Sequence, residues 1–130
     1  MTSLDGDQRL PRRPRVLLAE DHPAMAKAVS RVLALDCDVV GTVADGSAVL
    51  EAAQRLQPDV IVVDLNLPNV NGLEACRQIR QVNPDAKVIV FSAMDDPEVM
   101  QRSFQVGASA FVSKGTGDLL STIRRLCDGR

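Results

Sequence analysis

The stretch VIVVDLNLPNVNG, Val60 to Gly72, decides the fold. Val60, Ile61, Val62 and Val63 form a continuous β-branched run with no polar residue in alternation. That pattern predicts a strand buried on both faces, as in a parallel sheet covered by helices. The run ends abruptly in Asp64, and Asn66, Pro68, Asn69, Asn71 and Gly72 then form a loop. A carboxylate is thereby expected at the carboxyl end of a central strand, where open α/β sheets bind their ligands. Taken alone, Asp64 reads equally well as a cap for the following turn. The ends of the other strands decide between the two.

Upstream, Gln57-Pro58-Asp59 turns the chain into this strand, and Gly46 to Leu56 has helical spacing of Ala48, Val49, Ala52, Ala53 and Leu56. Asp38 to Val43 reads as a strand, as does Val16 to Ala19, which ends in the acid pair Glu20-Asp21. His22-Pro23 starts a helix with Asp21 as its expected N-cap and with Ala24, Ala28, Val29, Val32 and Leu33 as its apolar stripe. Residues 1–14 read as a flexible N-terminal tail and 15–130 as the domain. Arg9, Arg12, Arg13 and Arg15 look like a solvated basic cluster.

Downstream, Leu73 to Val82 is a helix stopped at Asn83-Pro84. Lys87 to Phe91 is a strand followed by Ser92, and Asp95-Asp96-Pro97 caps a helix carrying Val99, Met100, Phe104 and Val106, ended by Gly107. Ser109 to Val112 is a short strand running into Ser113-Lys114. A last helix carries Leu119, Leu120, Ile123, Leu126 and Cys127. The sum is an α/β chain, (βα)5, with a doubly wound parallel five-stranded sheet and right-handed crossovers.

Composition narrows the function classes. The 130 residues suit one domain, and with three Phe and no Trp or Tyr the core is aliphatic. A net charge of −2 gives no general attraction to nucleic acid or anionic membrane. No apolar run approaches the ~20 residues of a membrane span, and the N-terminus lacks a signal-peptide core, so a cytoplasmic location is expected. Cys37, Cys76 and Cys127 are widely spaced, without a CxxC or Cys/His pair, and read as small buried hydrophobes rather than zinc ligands.

The strand ends then supply a constellation: Glu20 and Asp21 from the first, Asp64 from the third, Ser92 from the fourth and Lys114 from the fifth. In a parallel sheet of order 2-1-3-4-5 all lie on one edge, and the first and third strands are neighbours. Carboxylates about 4 Å apart repel by ~1 kcal/mol in water and ~4 kcal/mol at an effective dielectric of 20. A hard divalent cation removes that cost, and carboxylate, carbonyl and water ligands suit Mg2+. Lys114 and Ser92 complement a phosphoryl group on Asp64, and a carboxylate is a competent nucleophile toward phosphorus.

On these residues the chain resembles the CheY-like receiver domains of two-component response regulators over Val16–Cys127. LLAED matches the acidic pocket, VVDLNLPNVNG the acceptor loop, FSA the hydroxyl switch and FVSK the lysine strand. The resemblance implies a flavodoxin-like/CheY-like fold and phosphoryl transfer from a sensor histidine kinase to Asp64. It further implies Mg2+ held by Asp21, Asp64 and the Asn66 carbonyl, with Glu20 acting through water. Lys114 would contact the phosphoryl oxygens, or Asp64 before transfer. Ser92 and Phe111 would be the switch residues, altering a surface of the fourth helix, fifth strand and fifth helix where homodimers or outputs bind. Met25, Lys27 and Val29 near the first helix are the expected partner-specificity positions. The resemblance does not imply an enzyme acting on an external substrate.

Where the family commonly has a proline after the lysine, in a cis bond, this chain has Gly115, so a trans bond is expected there. The His22-Pro23 start is similar to the NarL/FixJ subfamily. That implies a receiver from a longer protein with a C-terminal helix-turn-helix, the alternative being a single-domain regulator. Direct nucleic-acid binding by these residues is not expected. Two rivals remain. One is a receiver that docks or dimerises without phosphorylation. The other is a phosphatase resembling haloacid dehalogenases, which wants a second Asp where this chain has Asn66. A flavin site lacks a phosphate-cradling loop after the first strand.

Overall fold

In this computed structural model, residues 12–94, 96–115 and 117–128 are described. The elements alternate as read: β1 Arg15–Ala19, α1 Pro23–Leu33, β2 Asp38–Val43, a 3-10 turn Gly46–Ala48, α2 Val49–Leu56, β3 Val60–Val63, α3 Gly72–Val82, β4 Val88–Ser92, α4 Pro97–Gln105, β5 Ala110–Ser113 and α5 Leu119–Asp128. The five strands are parallel in the order β2-β1-β3-β4-β5.

β3 is buried at every position because the sheet has a core on both faces. Leu17, Ala19, Ile61, Val63, Val88 and Val90 pack with Val49 and Ala52 of α2 and Cys76 and Ile79 of α3. The alternate residues Val16, Leu18, Val60, Val62, Ile89 and Phe91 pack with Val29 and Leu33 of α1 and Leu119 and Ile123 of α5. Each buried Val, Leu, Ile or Phe among these stabilises the fold by about 1.5–3 kcal/mol. The strand register sets the site. Ala19 pairs with Val63, so Glu20 and Asp64 leave the sheet side by side, and the Asp64 N–H donates to the Ala19 carbonyl at 3.0 Å. Ser92 pairs with Ser113, and the Lys114 N–H donates to the Ser92 carbonyl at 2.8 Å.

Several expectations change. The N-cap of α1 is His22, not Asp21, and no side chain caps it. The expected helix from Gly46 opens with a 3-10 turn, because Asp45 accepts from the Ser47 N–H and closes that tighter turn. Val32, Met100 and Phe104 are exposed, whereas Val29, in the apolar stripe but also expected as a partner-specificity position, is buried and so unavailable to a partner. The inward stripe of α1 is therefore Val29 and Leu33, four residues apart. Asp96 caps α4 as expected, accepting from the Val99 N–H at 2.9 Å, while Asp95 lies outside the described residues.

Arg12, Arg13 and Arg15 are not a free cluster. Arg12 forks onto Asp59 at 2.8 and 2.9 Å. Arg13 reaches Asp38 and the Ala34 and Cys37 carbonyls at 3.0, 2.7 and 2.8 Å. Arg15 donates to the Gln57 carbonyl at 2.6 Å. Arg9 lies outside the described residues. Cys37 and Cys76 are buried and Cys127 is half-buried. The Lys114–Gly115 peptide is trans. No helix among the described residues is long and apolar enough to cross a membrane.

Candidate functional site

Four strand ends bring Glu20, Asp21, Asp64, Ser92 and Lys114 to one edge of the sheet, as the spacing predicted. Asp64 is buried at the end of β3. One oxygen lies 3.4 Å from the Lys114 ammonium, and the other accepts a long bond of 3.5 Å from the Asn66 N–H. Glu20 is also buried. Its Oε1 accepts from Lys114 Nζ at 2.8 Å, and its Oε2 accepts from the His22 backbone N–H at 3.2 Å and faces His22 Nδ1 at 3.1 Å. Lys114 is thus bound more closely to Glu20 than to Asp64, because the longer glutamate reaches across from β1. Its ammonium also lies 5.6 Å from the centre of the Phe91 ring, within range of a cation–π contact.

Asp21 does not cap α1, so its carboxylate is left to the pocket. Its Oδ1 is wholly buried and has no hydrogen-bond partner among the described residues, although His22 Nδ1 stands 3.3 Å away. Leaving such an atom unsatisfied costs about 1–3 kcal/mol. Ser92 is buried, and its Oγ accepts from the Met94 N–H at 3.0 Å. Phe111 is half-buried on β5, packed against the α2–α3 side of the sheet.

Burial and charge drive the two buried acids apart. Burial pushes the Glu20 carboxyl up, but its bonds to Lys114 and His22 outweigh this and hold it below its ordinary value. At Asp64 burial prevails, helped by the charge of Glu20 and only partly offset by Lys114, and the carboxyl is raised. Burial lowers Lys114, yet Glu20 and Asp64 together raise it. His22 is raised by its bond to Glu20 and the charge of Asp21.

Three carboxylates here face one ammonium, leaving a surplus of negative charge that a divalent cation would balance. The unsatisfied Asp21 oxygen beside Asp64 fits that role, and the carboxylate oxygens of Glu20, Asp21 and Asp64 are the kind of donor that suits Mg2+. The sequence reading missed His22: one ligand atom each from Glu20, Asp21, His22 and Asp64 lie within 4.8 Å of one another. The signal was its position directly after the acid pair, where His22-Pro23 reads as a helix start similar to that of the NarL/FixJ subfamily.

Comparison with known proteins agrees with this geometry. A family model described as the response regulator receiver domain matches residues 16–124. The chain is similar to the response regulator GacA of Pseudomonas viridiflava, with 34% identity over 121 residues, covering 89% of this chain and 56% of that protein. It is 36% identical over 102 residues to the transcriptional regulatory protein DegU of Brevibacillus brevis, covering 77% of this chain and 43% of that one. Among solved structures it resembles the signal receiver domain of NarL from Mycobacterium tuberculosis. That match has a TM-score of 0.86 and 30% identity and covers 92% of this chain and 100% of that one. The chain spans about half the length of the curated relatives it matches.

Proposed function

The chain belongs to the response regulator receiver domain family, and on that premise we propose that it is the phosphoacceptor switch of a two-component system. The observation that carries this reading is the buried Asp64 carboxylate, held between the Lys114 ammonium and an acid pair with an unsatisfied oxygen. An Asp64 oxygen attacks the phosphorus of a phosphohistidine on a sensor histidine kinase. The P–N bond breaks, its electron pair and a solvent proton go to the leaving imidazole, and a P–O bond to Asp64 forms. Mg2+, held by Asp21, Asp64 and the Asn66 carbonyl with Glu20 acting through water, would supply electrostatic stabilisation of the transferring group.

Lys114 moves from Glu20 and Asp64 to the new phosphoryl oxygens, exchanging one set of charge-assisted bonds for another. Ser92 exchanges its bond from the Met94 N–H for donation to the phosphoryl group. Phe111 follows, and the surface of α4, β5 and α5 changes. Met94, Met100 and Phe104 are the exposed large apolar side chains on or next to α4, and a homodimer formed on activation would cover them. The domain transforms no external substrate. A kinase donor of this kind implies a cytoplasmic acceptor. By analogy with DegU, the output is transcription, and the NarL/FixJ-like start at His22-Pro23 assigns it to a C-terminal helix-turn-helix domain.

The test is intact mass after incubation with acetyl phosphate and Mg2+, with Asp64→Asn as control. Gain of one phosphoryl group, absent in the control and without Mg2+, is the expected result. No adduct on a protein that binds Mg2+ leaves the second reading, a receiver that docks without phosphorylation. The closer pairing of Lys114 with Glu20 than with Asp64 favours that reading.

A further inference from the structure

The acceptor loop, residues 65–71, leaves the sheet at Asp64 and ends at the start of α3. Its root is held from within: the Gly72 N–H donates to the Leu65 carbonyl at 2.9 Å, and Leu65 and Leu67 are buried. Its tip is held from outside, by the turn that follows β2. The Gly46 N–H donates to the Pro68 carbonyl at 3.1 Å, and a Cβ on Gly46 would stand 1.5 Å from the Val70 carbonyl oxygen. The two loops rest on each other backbone against backbone. Asp45 then divides its carboxylate between them. Its Oδ1 accepts from the Ser47 N–H and Oγ–H, each at 2.8 Å, and closes its own turn. Its Oδ2 accepts from Asn69 Nδ2, across the gap to the acceptor loop.

Bonds from Ser47 and then Asn69 hold the Asp45 carboxyl below its ordinary value, so it accepts as a carboxylate at neutral pH. Asn69 has left-handed backbone, with φ of +68°. Glycine would take that conformation at less cost, so what asparagine adds is the donor. The bond is exposed to solvent, where a hydrogen bond contributes little to net stability. Its consequence lies in the site. Asn66, three residues before Asn69, donates its N–H to Asp64 at 3.5 Å and carries the carbonyl assigned above to the cation. We propose that Asp45 and Asn69 are positioning residues for phosphoryl transfer: their bond fixes the tip of the acceptor loop, and through it the placement of Asn66 against Asp64. The inference rests on the phosphoacceptor reading and adds two residues that act on it from outside the pocket. A misplacement of about 1 Å at reacting groups costs on the order of 100-fold in rate. A loop that keeps its root but loses one tether at its tip moves less.

The test is the rate of phosphoryl incorporation into the full chain across acetyl phosphate concentrations at saturating Mg2+, read by intact mass, with thermal melting beside it. Asn69→Gly keeps the left-handed backbone and removes the donor. Asn69→Asp keeps the shape and sets two carboxylates against each other. Both should lower the maximal rate ~10-fold, with the half-saturating acetyl phosphate concentration within about twofold and the melting temperature within about 4 °C of wild type. The double variant Asp45→Asn/Asn69→Asp exchanges donor and acceptor across the same gap and leaves an oxygen for Ser47. It should return to within about threefold of the wild-type rate. Wild-type rates in both single variants overturn the inference, as does a double variant that melts like wild type yet stays slow. A rate loss that comes only with a matching fall in melting temperature overturns it too. Each of these leaves Asp64 as the acceptor. Absence of incorporation in wild type overturns the phosphoacceptor reading, and this inference with it.

Discussion

Glu20 and Asp64 share one ammonium, yet they contribute to stability with opposite signs. Asp64, raised above its ordinary 3.8, favours a protonated native state. Native stability therefore falls as the pH rises from that value through the higher native one. Asp64→Asn is expected to melt roughly 2–6 °C above wild type at pH 7 in EDTA, and the gap should close as the pH is lowered toward the ordinary Asp range. Glu20, held below its ordinary 4.5, contributes stability that is present above that value and lost as the pH falls through the native one. Glu20→Gln should accordingly cost roughly 1–3 kcal/mol at pH 7 in urea unfolding. Five of the residues at this site were legible because strand ends converge in any parallel sheet. The preference of Lys114 for Glu20 was not, because it depends on one extra methylene of reach. The place of His22 beside the acids was not legible, because an N-cap position ahead of Pro23 does not say which way its ring turns.

The elements that carry these residues are positioned by close backbone approach. A Cβ on Gly72 would stand 2.2 Å from the Asp64 carbonyl oxygen and 2.9 Å from Leu65 Cα, so the start of α3 rests directly on the acceptor loop. Gly72→Ala is expected to destabilise by roughly 2–4 kcal/mol in urea unfolding and to slow acetyl phosphate incorporation by ~10-fold or more. A Cβ on Gly115 meets nothing nearer than Ser113 Oγ at 4.0 Å, so Gly115→Ala should stay within about 0.5 kcal/mol of wild type. Helix starts were partly legible. Asp96 and Asn71 accept from N–H groups of α4 and α3, and removing either side chain by substitution to Ala should cost about 1 kcal/mol. The buried stripe of α1 was less legible because its alanines fit either face, and only contact with the sheet selects Val29 and Leu33.

Across the whole molecule the two edges of the sheet do different work. The carboxyl edge holds the acids and Lys114, while the amino edge is tied by Arg12 to Asp59 and by Arg13 to Asp38. These arginines read as solvated because a run of positive charge says nothing about acids 25 and 47 residues away. The double variant Arg12→Ala/Arg13→Ala should lose on the order of 1 kcal/mol, less in high salt. It should incorporate phosphate at the wild-type rate, since the site lies at the other edge. The parallel order itself was legible from strand runs and short connections, which admit few topologies. The bond from Lys114 to Glu20 spans 94 positions of the chain and closes only when β5 has docked on β4. On the phosphoacceptor reading, a nascent polypeptide released before Lys114 lacks the ammonium that stands beside Asp64. On that reading, the stoichiometry of phosphoryl incorporation across a urea titration should follow the fraction of fully folded molecules, so that uptake reports completion of the sheet.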